Sequence, residues 1–426
     1  LTMKRTQNEK ILQIKNETLV VGIDIGKETH YARAFDSRGL ELAKLLRFSN
    51  SAEGYNALRT WMQSTMQQKG KTDAIVGFEP TGHYWFTLGD FLEKQGYKLG
   101  IVNPYHVKCA RELDDNKQTK TDFKDPKTIA MLVKDGRYRD VYIPSECYQE
   151  LREAVLERER LVEQMTALGN QVIRWLDIRF PEFTKVFKSW KGKIAFATLK
   201  QFPTPAQVVH AGPEGLIALW QQHVKRNHTL KAQQLFQAAQ TSIGRISGSK
   251  TAEFVLQNLL LQYEMAASQL EQIEALLSEL VLTVPHSDTL LDVKGIGKLS
   301  TAVIISEIGT IQRFSSPRQI ISLAGLSLRE NSSGKHKGQT TISKRGRKRL
   351  REALFRVMIP MLANNAEFRA MHQRNITRKQ NPLTKMQSVI ALCGKLIRVI
   401  YTLLRKGCRY DANKLVQDMP VSMMAA

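Results

Sequence analysis

Four acidic residues in the first third of the chain could do chemistry together, and two of them stand where a carboxylate is costly unless it has a task. Asp24 closes the apolar run Thr18-Leu-Val-Val-Gly-Ile-Asp-Ile-Gly26. A carboxylate in a buried strand is unfavourable unless it is paired or metal-bound. The glycines at 22 and 26 let backbone or ligand come close. Glu79 sits where Ile75-Val-Gly-Phe-Glu-Pro-Thr-Gly82 runs out of strand. Asp122 and Asp125 follow in Lys120-Thr-Asp-Phe-Lys-Asp-Pro126, three residues apart and so able to share one side of a first helical turn. Together the four offer hard oxygen ligands to Mg2+ or Mn2+, and two such ions about 4 Å apart clamp the attacking and leaving oxygens of a phosphoryl transfer. Structural readings stand beside these: Asp125 as a helix N-cap, Asp114 and Asp115 as a solvated turn, His83 as a wall residue rather than a ligand.

A second constellation follows Ala324-Gly-Leu. From 335 to 351 there are eight basic residues and no acid: Lys335, Lys337, Lys344, Arg345, Arg347, Lys348, Arg349 and Arg351. Alone, this is a phosphate-binding surface or a solvated basic loop. Ser332-Ser333-Gly334 inside it differs in kind. A serine on a glycine turn in a cationic field is placed to attack phosphorus, with the neighbouring cations stabilising alkoxide and transition state. Upstream, Val293-Lys-Gly-Ile-Gly-Lys298 before an Ala/Ile-rich helix has the pattern of a helix-hairpin-helix, in which Gly295 and Gly297 let backbone N–H groups approach a DNA phosphate. Ordinary turn chemistry gives the same pattern.

Alternating elements must hold the carboxylates. The pattern predicts three consecutive strands from Thr18 to Phe48 with a turn at Asp36–Gly39, and a helix over 51–68. It continues with a strand over 73–79, a helix over 84–95, a strand over 97–103, and a helix starting at Asp125-Pro126. The order β-β-β-α-β-α-β is that of a ribonuclease H-like fold. The middle third is helical. Leu256, Leu259, Tyr263, Ala266, Leu270, Ile273, Leu277 and Leu280 alternate steps of three and four, a coiled-coil seam. A weaker seam runs through Leu151, Val155, Val162, Met165, Val172 and Leu176. The two could pair within one chain or across a dimer, around a helical insert at about 181–250. The expected organisation is α/β plus all-α: an α/β domain over 1–145, a coiled coil with insert over 146–285, and a helical C-terminal domain over 286–426.

Charge narrows the partner. The chain has 426 residues, 63 Lys and Arg against 40 Asp and Glu, and a net charge of +23. Residues 286–426 hold 25 basic and 8 acidic residues, +17, whereas 1–145 sum to +5 and 146–285 to +1. An excess so concentrated points to a polyanion, nucleic acid rather than a membrane surface. Ordinary hydrophobic and charged fractions of 42% and 24% exclude a disordered or fibrous chain. The apolar stretch 386–404 is interrupted by Lys395 and Arg398 and reads as a packed helix, so no membrane anchor is expected. Cys109, Cys147, Cys393 and Cys408 are far apart, which fits reduced thiols and a cytoplasmic location rather than a zinc ribbon or disulfide framework.

Taken in order, Gly22-Ile-Asp24-Ile-Gly-Lys27, Phe78-Glu79-Pro-Thr-Gly82, Asn103-Pro104, Lys120-Thr-Asp122-Phe-Lys-Asp125 and the Ala324-Gly-Leu to Ile342-Ser-Lys-Arg-Gly346 block resemble the IS110-family transposases over nearly the whole chain. The resemblance implies an N-terminal DEDD domain similar to RuvC, a coiled coil and a C-terminal transposase domain. Asp24, Glu79, Asp122 and Asp125 match its acidic tetrad, and Ser333, with Ser332 as rival, its nucleophile. Pro126 stands where the family usually has a small helix former. The resemblance further implies a bridge RNA pairing with target and donor DNA, and Mg-dependent strand exchange through a covalent serine–DNA link. A dimer or tetramer through the coiled coil would join two duplexes. Two rival readings are a metal-dependent, Holliday-junction-resolvase-like nuclease with water as nucleophile, and a non-catalytic nucleic-acid-binding protein.

Overall fold

The computed structural model describes residues 6–80, 82–115, 124–142, 144–226, 228–329, 332–333, 336–337 and 340–416. The chain divides into two compact units, one of residues 1–145 with 312–315, the other of 146–311 with 316–426.

The first unit is built on a six-stranded sheet of order β3-β2-β1-β4-β5-β6: β1 Thr18–Ile25, β2 Thr29–Phe35, β3 Leu46–Ser49, β4 Asp73–Phe78, β5 Lys98–Val102 and β6 Tyr138–Asp140. Strand β2 is antiparallel to β1 and β3, β6 is antiparallel to β5, and the central β1, β4 and β5 run parallel. Its helices are α1 Gln7–Leu12, α2 Ala52–Gln68, α3 Trp85–Lys94, α4 Pro104–Asp115 and α5 Asp125–Lys134. Helix α2 begins where Ser51 Oγ accepts from the Gly54 amide at 3.2 Å, and buries Tyr55, Leu58, Met62 and Thr65 at steps of three and four. Each apolar side chain so buried stabilises by about 1.5–3 kcal/mol. Two cores flank the sheet. One gathers Leu19, Val21, Ile23, Leu58, Met62 and Phe78; the other gathers Val20, Ile75, Val102 and the inner face of α5.

The sequence pattern carries over to β1, β2, α2, β4, α3 and β5 within a residue or two. Three expectations change. Asp114 and Asp115 end helix α4, so they are not a turn. Asp125 is the first residue of α5, not its cap; Lys124 precedes it in a helical conformation. Strand β3 spans only Leu46–Ser49, with a separate bridge between Phe35 and Glu41.

The second unit is helical. Long helices α6 Glu146–Arg179 and α11 Ser249–Thr283 lie antiparallel, as the Arg158–Glu274 ion pair at 2.7 Å and the Trp175 Nε1 donation to the Ala252 carbonyl at 2.8 Å require. Their seam includes Leu151, Val155, Val172, Leu176, Leu256 and Leu277 as expected. Val162 faces outward, however, and Leu161 and Leu168 are buried in its stead. A heptad reading that slips by one residue in mid-helix makes that exchange. Between the long helices lie α7 Phe183–Val186, α8 Lys193–Gln201, α9 Pro205–Gln221 and α10 Thr229–Gln240, packed on a core of Phe180, Phe183, Leu199, Leu216, Trp220 and Leu235.

Beyond Thr283 come α12 Asp288–Leu291, α13 Lys298–Ile308, a 3-10 turn Ile311–Arg313 and α14 Pro317–Leu323. Four two-residue strands follow, β7 Leu328–Arg329, β8 Ser332–Ser333, β9 His336–Lys337 and β10 Thr341–Ile342. The chain then ends in α15 Lys348–Asn364, α16 Ala366–Thr377, α17 Lys385–Lys406 and α18 Ala412–Val416. Helix α17 is long and apolar enough to cross a membrane, but half of that stretch is buried within the protein, at Leu392, Leu396, Ile397, Ile400 and Leu403 among others. None of the four cysteines forms a disulfide, and burial pushes the Cys393 thiol up to about 12.

Candidate active site

Register places the first two carboxylates. Parallel β1 and β4 pair Val21 with Val76, Gly22 with Gly77 and Ile23 with Phe78, so Asp24 and Glu79 stand at the next step of the same ladder. They are neighbours at the carboxyl end of two central strands, where parallel sheets present their ligands. Both are half-buried.

Glycines set the distance to the third. A Cβ on Gly22 would lie 2.0 Å from the Pro126 carbonyl oxygen and 2.7 Å from the Ala130 nitrogen, and one on Gly77 would lie 2.2 Å from Val133 Cγ2. Helix α5 therefore rests directly on the β1 and β4 backbones. Asp125, one residue before Pro126, is 3% exposed on that helix. The row extends to Gly100 on β5, the register partner of Gly77, where the Tyr138 ring fills the space. Asp122 lies outside the described residues, and α5 begins only at Asp125. His83 is exposed and leans on Tyr84, with ring centroids 4.3 Å apart.

Carboxylate oxygens at adjacent strand ends are the donor type that Mg2+ and Mn2+ take. Among the described residues, no three His, Cys, Asp or Glu side chains stand close enough to hold a metal ion between them. Asp24 and Glu79 supply two donors at the same end of the sheet.

The serine constellation is a double hairpin. Strands β7 and β10 form its stem, pairing Arg329 with Thr341 and Leu328 with Ile342. Strands β8 and β9 pair Ser332 with Lys337 and Ser333 with His336, so both serines stand on a strand arm rather than in the turn. Gly334 and Lys335 lie outside the described residues; of Ser332, Ser333 and Lys337 the backbone is described.

The base of this loop is fastened by arginines. Arg351 Nη1 donates to the Ala324 carbonyl at 2.9 Å and to the Lys344 carbonyl at 3.4 Å, joining the two ends. The Lys344 amide donates to the Gly325 carbonyl at 3.0 Å, and the Arg347 amide to Leu323 at 2.6 Å. Gly325 has φ +69°, and a Cβ there would press within 2.9 Å of Arg351 Nη1. The Arg347 side chain reaches the Glu307 carbonyl, with its carboxylate at 3.5 Å, and Arg349 pairs with Glu159 on α6 at 2.6 Å. Of the predicted phosphate contacts, Lys344, Arg345, Lys348 and Arg349 are exposed, Lys348 in an i,i+4 pair with Glu352 at 3.5 Å and Arg349 in its pair with Glu159; Arg347 and Arg351 are half-buried and engage the protein itself.

The two glycines before α13 divide in the same way. Gly295, at φ +101°, packs against Met361 of α15, whose Cγ would be 2.8 Å from an added Cβ. Gly297 caps α13 with open space before it, leaving the first-turn N–H groups approachable.

Reading the sequence for chemistry marks Gly22 but passes over Gly77, Gly100 and the arginine clamp. A signal for the first exists: Val21-Gly-Ile-Asp24 and Val76-Gly-Phe-Glu79 are the same Val-Gly-apolar-acid motif, and the sheet aligns them residue for residue. Nothing in the run of eight basic residues separates a clamp from a phosphate contact.

Residues 21–181 match the family model of DEDD transposases of the IS110 type, and residues 287–373 match the model described as transposase IS116/IS110/IS902 family. A DEDD domain implies a ribonuclease H-like fold, in keeping with the strand order here, and a general dependence on divalent metal. Among curated relatives, the "Insertion element IS116 uncharacterized 44.8 kDa protein" of Streptomyces clavuligerus is 21% identical over 92% of this chain and 96% of its own. The "Pilin gene-inverting protein" of Moraxella lacunata is 24% identical over 92% of this chain and 97% of its own. The "Insertion element IS110 uncharacterized 43.6 kDa protein" of Streptomyces coelicolor is 23% identical over 70% of this chain and 73% of its own. With both models matching in the expected order, the chain belongs to the IS110 family of transposases, enzymes that cut and rejoin DNA.

Proposed function

We propose that the protein moves an insertion sequence by a serine-dependent strand exchange, in which Ser333, or its neighbour Ser332, attacks a DNA phosphate. The observation that carries this reading is the serine hairpin closed at its base by Arg351 within an otherwise cationic segment. The serine oxygen bonds to phosphorus and one DNA oxygen leaves, so the phosphodiester's energy is kept and a second strand's hydroxyl can reverse the step. Exposed Lys344 and Arg345 are suited to hold the flanking phosphates. Asp24, Glu79, Asp122 and Asp125 would hold Mg2+ or Mn2+, which when bound supplies charge stabilisation at the scissile phosphate. The approachable start of α13 at Gly297 offers backbone N–H groups to a further phosphate.

The resemblance to the family adds a bridge RNA that pairs with donor and target DNA. Base pairing would then read sequence while the protein reads backbone and shape. Two duplexes must meet, so a dimer or tetramer is part of the reading, with the α6–α11 pair as coiled-coil interface; the exposed Phe254, Leu261 and Met265 along α11 support it. Such an enzyme works where the chromosome is, in the cytoplasm.

The discriminating experiment follows the covalent adduct. Ser332→Ala and Ser333→Ala, singly and together, are incubated with donor DNA, element RNA and Mg2+, and the protein–DNA adduct is quantified. The double variant should lose adduct by about 10⁴-fold or more, as loss of a catalytic nucleophile does elsewhere. Strand cleavage that persists unchanged in it would instead assign a metal-dependent nuclease using water. Sequencing the RNA that co-purifies with the protein tests the guide separately.

A further inference from the structure

The near-neutral middle of the chain hides a strong separation of charge. Residues 181–250 contain ten basic and two acidic residues, +8, whereas the flanking helical segments 146–180 and 251–285 contain five basic and twelve acidic, −7. The insert is thus as polarised as the C-terminal third for its length. Three of its ten basic residues meet at a cleft of about 740 Å³ between α8, the end of α9 and the middle of α11. Lys191, Lys193, Phe196, Lys200, Gln222 and Tyr263 line it.

The lining combines two kinds of recognition. The Lys191 ammonium lies 5.2 Å from the centre of the Tyr263 ring and 5.8 Å from that of Trp190. Trp190 meets Tyr263 edge-on at 4.9 Å, and Phe196 stacks on Trp190 at 6.0 Å. Lys200 is held by Glu264 at 2.9 Å, while Lys193 is exposed and in no ion pair among the described residues. Phe196 and Tyr263 are only half-buried, so ring surface faces the cleft beside ammonium groups. Aromatic faces next to cations in a concave site suit an unpaired nucleotide, whose base stacks while its phosphate meets lysine. A duplex offers phosphates but no exposed base face to those rings.

We infer that the helical insert is a second nucleic-acid-binding module, whose α8–α9–α11 cleft holds an unpaired nucleotide, its base against the half-buried Phe196 and Tyr263 rings and its two flanking phosphates on the ammonium groups of Lys191 and Lys193. This module is separate from the serine loop, so substituting Ser332 and Ser333 leaves it intact.

The test measures binding of the full-length chain to labelled twelve-nucleotide oligo-U RNA, oligo-dT DNA and a duplex of equal length across a salt series. In Lys191→Gln/Lys193→Gln, the slope of log affinity against log salt for single strands should fall by about 1.4, two phosphates at about 0.7 each. The duplex slope should stay unchanged. Tyr263→Leu should weaken single-strand binding about 5- to 100-fold, the worth of one stacked base, and Tyr263→Phe should restore it. Loss on RNA alone assigns the site to RNA, and loss on both strands assigns it to any single strand. An unmoved slope in the lysine variant, or an equal loss on duplex, overturns the inference. The lysine variant alters only exposed side chains and decides the matter even if Tyr263→Leu fails to fold.

Discussion

The two candidate sites, one in each unit, are positioned by opposite means. Asp24 and Glu79 stand on central strands whose register fixes them through a ladder of backbone hydrogen bonds, with α5 seated on glycines behind them. Ser332 and Ser333 stand on two-residue strands beyond a loop base tied by Arg351 and by the Arg347 backbone. A packed sheet resists displacement as a whole. A loop tied at its base by one guanidinium and a few backbone bonds shifts more readily when that group is lost. Carboxylate function should therefore be separable from stability, whereas serine function should depend on side chains that touch no DNA.

Beyond the serines themselves, the largest effect is expected at the carboxyl ends of β1 and β4. Asp24→Asn or Glu79→Gln should lower metal-dependent DNA cleavage by about 100-fold or more, since even partners one layer further out cost 10- to 100-fold. Thermal melting should barely move, because register and not the carboxylate places the strand ends. A large fall in melting temperature would make the acids structural and erase the contrast. A smaller effect is expected at the clamp. Arg351→Met should slow adduct formation about 10- to 100-fold by loosening the serine arm, while duplex binding measured by anisotropy stays within a few-fold. Equal losses in binding and in adduct would mean that Arg351 meets DNA rather than the loop.

The smallest effect concerns the sheet unit alone. His30 on β2 is fully buried between Phe48 and Tyr55, with ring centroids 5.0 and 6.2 Å away, and burial lowers its pKa below the ordinary 6.5. The unfolded chain therefore takes up a proton before the folded one as pH falls through 6.5. Stability drops from there until the depressed folded value is reached, and is fully present above 6.5. His30→Phe should flatten that acid limb in denaturant titrations at pH 5 to 7.5. An unchanged limb would place the titration elsewhere.

Much of this was legible in the sequence because chemistry and period coincide at the important places. The Val-Gly-apolar-acid runs announce strand and carboxylate together, and Ser51 with the Tyr55, Leu58 and Met62 stripe announces α2. What stayed hidden had no period to show. Strand β6 is three residues long, and α4, Pro-Tyr-His-Val-Lys-Cys-Ala-Arg-Glu-Leu-Asp-Asp, has too few apolar positions to mark a face. The exchange of Val162 for Leu161 reflects two adjacent branched residues that fit a seam equally well until packing chooses. The insert's charge was invisible for a simpler reason: summing it with acidic helices cancelled it.

One consequence of the glycine row concerns how such a site is written into a sequence. Gly22, Gly77 and Gly100 contribute no charge, donor or acceptor through a side chain, and their effect lies in the volume they leave empty. Part of the information that seats α5, and Asp125 with it, on β1 is thus carried by missing atoms. Even a methyl group on Gly22 would lift α5 away from β1 with every candidate side chain still present, a lesion that an inventory of reactive residues would score as intact.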